Sequence, residues 1–173
     1  MTTYLDRLIE YGTWANQGLL DFLRERPPET LDLTTGGVYG TIRETLEHLF
    51  SSETGYQRRL LGLPRLDPDL RPKDADLDAL QRLADEAAAA VAGLAERLPD
   101  PATMLPTSSG DRAAATVLTQ LVMHGVEHRG HIGTILGANG IEPPDLDSWS
   151  HGILAHDDAW PPDWGPEPAG RRA

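Results

Sequence analysis

Three histidines whose spacing suits metal binding lie within eight residues of the chain, at His124, His128 and His131. The stretch around them, residues 121–137, has the apolar spacing of an amphipathic helix. With a rise of about 1.5 Å per residue, His128 lies about 6 Å along the axis from His124 and about 4.5 Å from His131. Either pair could bind one ion, whereas His124 and His131, about 10.5 Å apart, could not do so through bonds near 2 Å without distorting the helix. His128 therefore belongs to any such site.

A helical wheel favours His124 as the partner of His128, because His128 lies nearest the apolar stripe, His124 next, and His131 furthest towards solvent. On an earlier predicted helix, His48 also flanks the apolar stripe. Three imidazoles from two helices would form a face suited to zinc, nickel or a similar divalent ion, with positions left for water or substrate. The alternative is a histidine-rich surface helix without metal, and the spacing alone favours neither.

Two polar residues occupy positions in apolar stripes, namely Asn16 on the first predicted helix and Arg129 beside the proposed ligands. A buried polar group without a partner costs roughly 1 kcal/mol or more. Glu53, on the stripe of the second predicted helix, is the natural partner of Arg129. We expect a Glu53–Arg129 ion pair to brace the metal site from behind; the alternative is that Arg129 extends to the surface.

The helices that would position these residues are predicted from apolar periodicity and from start and stop signals. The first runs over about 3–24. The second begins at a capping box formed by Thr41 and Glu44 and runs to about Leu61. The third, rich in alanine, runs over about 77–98 until proline ends it.

The fourth predicted helix contains the histidine cluster and ends near Gly137 to Gly140, and a short fifth helix is expected over about 147–155. The sequence neither predicts nor excludes a brief pair of extended segments near 104–107. Four long apolar-faced helices predict an all-α four-helix bundle over residues 1–157. Residues 158–173, rich in proline, glycine and acid, are expected to form an irregular tail.

The composition narrows the possible partners. The net charge of -12 argues against nucleic-acid binding, which relies on Lys and Arg. No apolar run approaches the ~20 residues of a membrane span and no secretory signal is evident, so we expect a cytoplasmic protein. The chain has no cysteine, which excludes thiolate ligands and a cysteine nucleophile. His151 and His156 are expected at the surface, with capping of the pocket as the alternative for either. Trp14 is expected to cover a loop or enter a subunit contact.

Three segments resemble the DinB/YfiT-like metalloenzyme superfamily. They are YGTWANQGLLDFL at 11–23, TIRETLEHLFSSETGYQRRLLG at 41–62 and HGVEHRGHIGTIL at 124–136. The family pattern has a WAN motif on the first helix, one His on the second and HxxxHRGQ on the fourth. The resemblance implies a four-helix bundle, often a homodimer, with a divalent metal bound by His48, His124 and His128. His131 replaces the usual Gln, where it would support a ligand, carry protons or act as an occasional fourth ligand.

Relatives in this superfamily include S-transferases and isomerases that use a low-molecular-weight thiol such as bacillithiol or mycothiol. The resemblance therefore implies a metal-dependent thiol S-transferase acting on a small molecule. This activity is consistent with the absence of cysteine, because the thiol would come from a cosubstrate. Metal-dependent hydrolysis is an alternative, weakened because Glu127 points away from the triad on the wheel. A non-enzymatic metal or small-ligand binding protein is the other alternative.

Overall fold

The computed structural model describes residues 2–64 and 73–156, together with 159 and 165. Over these residues the chain forms six α-helices, one 3-10 helix and one pair of two-residue strands. In chain order they are α1 (Tyr4–Arg24), the 3-10 helix η1 (Pro28–Asp32), α2 (Ile42–Leu60), α3 (Leu77–Val91), α4 (Leu94–Arg97), β1 (Met104–Leu105), β2 (Arg112–Ala113), α5 (Ala114–Ala138) and α6 (Ser148–His156).

Helices α1 and α2 each begin with a capping box. The Thr41 hydroxyl accepts from the Glu44 backbone N–H, and the Glu44 carboxylate accepts from the Thr41 backbone N–H, which confirms the predicted start of α2. Thr3 and Asp6 make the same reciprocal pair at the start of α1. Each box satisfies backbone donors that the first helical turn leaves free, so both helices begin at a defined residue.

The predicted third helix is interrupted, so its expected continuous course over 77–98 is wrong. It ends at Val91, and Gly93 adopts a left-handed backbone with φ of 65° before the single turn of α4 begins. Glycine has no Cβ to oppose this conformation. The change of direction lets Leu94 become almost completely buried against the bundle. The alanine-rich composition predicted helix on both sides of the break but not the break itself.

The segment before α5 forms the short antiparallel pair that the sequence left open. Met104 pairs with Ala113 and Leu105 with Arg112. The strand ends at Ala113, and α5 begins at the next residue. The strand pair therefore immediately precedes, and helps to position, the first turn of the helix that contains the histidine cluster.

The core confirms the all-α bundle. Helix α2 packs against α3 and α5, and α1 packs against the same two helices. Their inward faces form two apolar clusters, one of which includes Leu20, Phe50 and Ile132, each fully buried. Burial of these side chains fixes which faces of α2 and α5 meet. No helix among the described residues is long and apolar enough to cross a membrane.

Helix α6 lies against α1, and this contact corrects two expectations. His151 is buried, with 4% of its surface exposed, and its ring lies 5.1 Å from the Trp14 ring and 5.8 Å from the Tyr11 ring. His156 keeps only 17% of its side chain exposed. The prediction that both histidines lie at the surface is wrong because α6 folds back onto α1. Trp14 contacts this helix rather than a loop, and its expected part in a subunit contact stays a prediction.

The Tyr11 hydroxyl donates a 3.0 Å hydrogen bond to the Leu146 carbonyl just before α6, which helps to hold the helix in place. Of the predicted tail over 158–173, only 159 and 165 belong to the described residues, so the boundary at 157 stays a prediction.

Candidate metal site

Helices α2 and α5 bring His48, His124 and His128 together. One ring nitrogen from each residue lies within 4.8 Å of the other two. The ring centroids are 5.0 Å apart for His48 and His124, 4.8 Å for His48 and His128, and 4.2 Å for His124 and His128. His124 and His128 are each 5% exposed, and His48 is half-buried. The site therefore lies at the edge of the α2–α5 interface.

The spacing of the ring nitrogens fits a single transition-metal ion. The Nε2 atoms of His124 and His48 are 3.0 Å apart. Two nitrogens bound to a tetrahedral ion at about 2.0–2.1 Å would be separated by about 3.3 Å. A shift of a few tenths of an ångström would therefore accommodate an ion between these atoms. Among the described residues, the buried Nδ1 atoms of His124 and His128 have no hydrogen-bond partner.

The environment keeps two of these imidazoles neutral. Burial, together with the nearby rings of His128 and His48, lowers the pKa of His124 to about 4. Burial is also the main cause that lowers the pKa of His128 to about 4, and the His48 and His131 rings contribute to that value. A neutral imidazole has the free lone pair that a metal requires. At neutral pH both rings are therefore competent ligands.

Two tyrosines that the sequence did not single out flank the triad. The Tyr39 ring stacks on His48 at 4.3 Å between centroids and meets His128 edge-on at 5.2 Å. The Tyr56 ring contacts His124 edge-on at 5.5 Å. Tyr39 belongs to the glycine-rich link before α2, where no periodicity predicts a neighbour, whereas Tyr56 lies on the same helix as His48. Tyr39 is 50% exposed, so it borders the open side of the site.

His131 and Glu127 lie at the margin of the triad. The His131 ring is 5.4 Å from the His128 ring, and His131 does not belong to the compact ligand group formed by the other three histidines. Glu127 is exposed, yet its negative charge opposes the lowering of the His128 pKa. The Glu127 carboxylate therefore affects the His128 pKa electrostatically, although the helical wheel predicted that Glu127 points away from the triad.

On the neighbouring face of α5, Arg129 meets Glu53 and Asn16. The Arg129 guanidinium lies 4.0 Å from the Glu53 carboxylate, and both side chains are 8% exposed. Asn16 joins them, because its Nδ2 donates to Glu53 at 2.8 Å and its Oδ1 accepts from Arg129 at 2.8 Å. The guanidinium also lies 5.4 Å from the centre of the Tyr11 ring. Arg129 does not extend to the surface. Its buried guanidinium has Glu53 as counter-charge and Asn16 as hydrogen-bond acceptor.

Gly125 makes room for this network on the backbone of α5. A methyl group added there would lie 3.0 Å from both the Arg129 guanidinium and the Glu53 carboxylate. Burial raises the pKa of Glu53 to about 7, although the charge of Arg129 and the hydrogen bond from Asn16 act in the opposite direction. The Arg129 and Glu53 side chains therefore leave little room for a side chain at position 125.

A helical bundle in which three histidines converge from two helices defines a candidate metal-binding protein. The sequence model of the DinB family matches residues 1–158, so the chain belongs to the DinB family. It is also similar to Protein DinB of Bacillus subtilis (strain 168), with 25% identity over 152 residues that cover 81% of this chain and 88% of that relative. The family resemblance predicted from the three sequence segments is confirmed.

Proposed function

We propose that this protein binds one divalent transition-metal ion, zinc or nickel, through His48, His124 and His128. The observation that carries the proposal is the convergence of three imidazole ligand atoms within 4.8 Å of one another. The lowered pKa values of His124 and His128 support it, because neither ring needs to lose a proton at neutral pH to act as a ligand.

We further propose that the site catalyses transfer of a low-molecular-weight thiol to a small electrophilic substrate. A divalent cation at the triad would lower the pKa of a thiol that binds to it, and so supply the nucleophile. In the overall reaction the S–H proton is released, an S–C bond forms, and the leaving group departs with its electron pair. The chain has no cysteine, so the sulfur must come from a cosubstrate.

The surrounding residues have separate tasks in this proposal. His131 is the nearest additional imidazole to His128 and is suited to accept the released proton. Tyr39, half exposed and stacked on His48, borders the side from which a thiol and its acceptor would approach. Asn16, Glu53 and Arg129 would hold α1, α2 and α5 in register behind the ligands. We also propose that the protein acts in the cytoplasm as a homodimer.

The test is a thiol conjugation assay with protein reconstituted with zinc or nickel, several low-molecular-weight thiols and a chromogenic aryl halide. We expect metal-dependent conjugation with at least one thiol, and its loss in His128→Ala. Hydrolysis of an ester substrate without any thiol requirement would support a metal-dependent hydrolase instead. Stoichiometric metal binding with neither activity would support a metal or small-ligand binding protein.

A further inference from the structure

A second group of metal-ligating side chains lies between α1 and α6. It consists of Glu10, His151 and His156, and one ligand atom from each lies within 4.8 Å of the other two. His156 Nε2 is 3.3 Å from a Glu10 carboxylate oxygen, and the two histidine rings are 4.8 Å apart at nearly a right angle. None of these residues belongs to the triad between α2 and α5.

The group is held in place by the packing of α6. The His151 ring is buried against Trp14 and Tyr11, so it is fixed from the α1 side. The Asp147 carboxylate accepts from the Ser150 backbone N–H at 2.7 Å and thereby anchors the first turn of α6. His151 therefore has a defined position one residue after Ser150, and the exposed Glu10 and the partly buried His156 lie beside it.

The donor set has the chemistry of a divalent transition-metal site. Two imidazoles and one carboxylate are a ligand combination that binds zinc, with a fourth position left for water. The carboxylate supplies one negative charge against the two positive charges of the ion. The net charge of -12 on the chain also attracts cations towards the surface where Glu10 is exposed.

We propose that Glu10, His151 and His156 form a second divalent-metal site, which links α6 to α1. Two ligands come from α6 and one from α1, so an ion bound there resists separation of the two helices. This site is independent of the proposed catalytic triad. Its role is to fasten the C-terminal helix to the bundle, and its preferred ion is zinc or a similar transition metal.

The test is calorimetric titration of metal-free full-length protein with zinc ion at neutral pH. If both sites bind, the wild type takes up two equivalents, His128→Ala takes up one, and Glu10→Gln retains one tightly bound equivalent. His128→Ala isolates the second site, and adding Glu10→Gln to it should weaken the remaining binding by at least about tenfold. Asp21→Asn is the matched control, because Asp21 is another exposed carboxylate on α1.

Two results would overturn the second site. One is a His128→Ala protein that is folded by circular dichroism but binds no zinc. The other is a Glu10→Gln or His156→Gln protein that binds as much zinc, as tightly, as the Asp21→Asn control. If only the triad fails, the wild type binds one equivalent that Glu10→Gln weakens and His128→Ala does not, so the two proposals fail separately.

A fluorescence titration locates the ion independently. Trp14 contacts His151, so copper ion bound at this site should quench the Trp14 part of the emission. We expect that quenching in His128→Ala and its loss in His156→Gln. Trp14→Phe identifies the relevant part of the signal, since the chain has four tryptophans. Equal quenching of Trp14 emission in His156→Gln would contradict the assignment.

Discussion

Helix α5 has two polar faces, and the neighbouring helices supply different partners to each. On one face, His124 and His128 meet His48, so the ligand group consists of imidazoles alone. On the neighbouring face, Arg129 meets Glu53 and Asn16, which supply a carboxylate and an amide. The second face already contains its counter-charge within the protein. The first offers neutral lone pairs, which an added cation would complete.

The comparison also separates two effects of burial on ionisation. Burial lowers the pKa of His124 and His128 because the charged imidazolium is disfavoured, and it raises the pKa of Glu53 because the charged carboxylate is disfavoured. Only Arg129 keeps its charge at any ordinary pH. The Arg129 face therefore depends on one permanent charge, whereas the histidine face carries none at neutral pH on these two rings.

The largest expected effect comes from removing the counter-charge of Arg129. We expect Glu53→Gln to reduce the free energy of unfolding by about 3–5 kcal/mol, because it leaves a buried guanidinium without a carboxylate. Arg129→Met should cost less, since Glu53 can then become neutral by keeping a proton. Urea unfolding of both variants at a pH well above 7, where Glu53 of the wild type is ionised, measures the difference. An equal loss of stability in the two variants, or a larger loss in Arg129→Met, would contradict the view that the unpaired Arg129 charge is the costlier of the two.

A smaller effect concerns the pH dependence of the metal-free protein. Between pH 6.5 and about 4, His124 and His128 are neutral when folded but protonated when unfolded, so the free energy of unfolding falls as the pH is lowered. Glu53 acts oppositely: between pH 4.5 and about 7 its folded form keeps the proton, so its contribution falls as the pH rises.

Variants separate these opposing slopes. His128→Gln should remove up to about 1.4 kcal/mol per pH unit of the rise in stability with pH, the linkage value for one proton. Glu53→Gln should make that rise steeper. Urea unfolding in the presence of a chelator, at several pH values from 4.5 to 6.5, measures both changes. Parallel stability curves for wild type and His128→Gln would contradict the lowered pKa of His128.

The smallest effect concerns Tyr39, which supports the histidine face only through its ring. We expect Tyr39→Ala to weaken zinc binding at the triad by up to about tenfold, because ring contacts of this kind contribute about 0.5–1.5 kcal/mol. Tyr39→Phe retains the stacked ring and should bind zinc as the wild type does. Competition with a chromogenic chelator measures both affinities. A loss in Tyr39→Phe as large as in Tyr39→Ala would assign the effect to the hydroxyl group.

Local sequence signals predicted the helices well because each signal acts within a few residues. The capping box at Thr41 and the apolar stripes of α1, α2 and α5 are of this kind. Helical spacing also selected His124 and His128 over His131, and the structure brings the selected pair to His48. Their role as ligands stays a prediction.

Features that depend on contacts between distant segments were not predictable. The left-handed turn at Gly93 interrupts a segment of high helical propensity and is followed directly by the buried Leu94, a contact that local propensity does not specify. The burial of His151 requires α6 to fold onto α1, and nothing within α6 specifies that contact. Likewise, Tyr39 reaches His48 from a link without periodicity, so spacing could not place it.

The most direct test of the central claim is the zinc affinity of the triad, measured by competitive titration in a Glu10→Gln background that disables the second proposed site. His128→Ala removes a proposed ligand, and His131→Ala is its matched control, because it removes the neighbouring imidazole on the same helix. We predict that His128→Ala loses at least about 100-fold in affinity, more than an outer-sphere group would contribute, while His131→Ala loses less than about tenfold. Equal affinities for His128→Ala and the unsubstituted background would contradict the assignment of His48, His124 and His128 as a metal site.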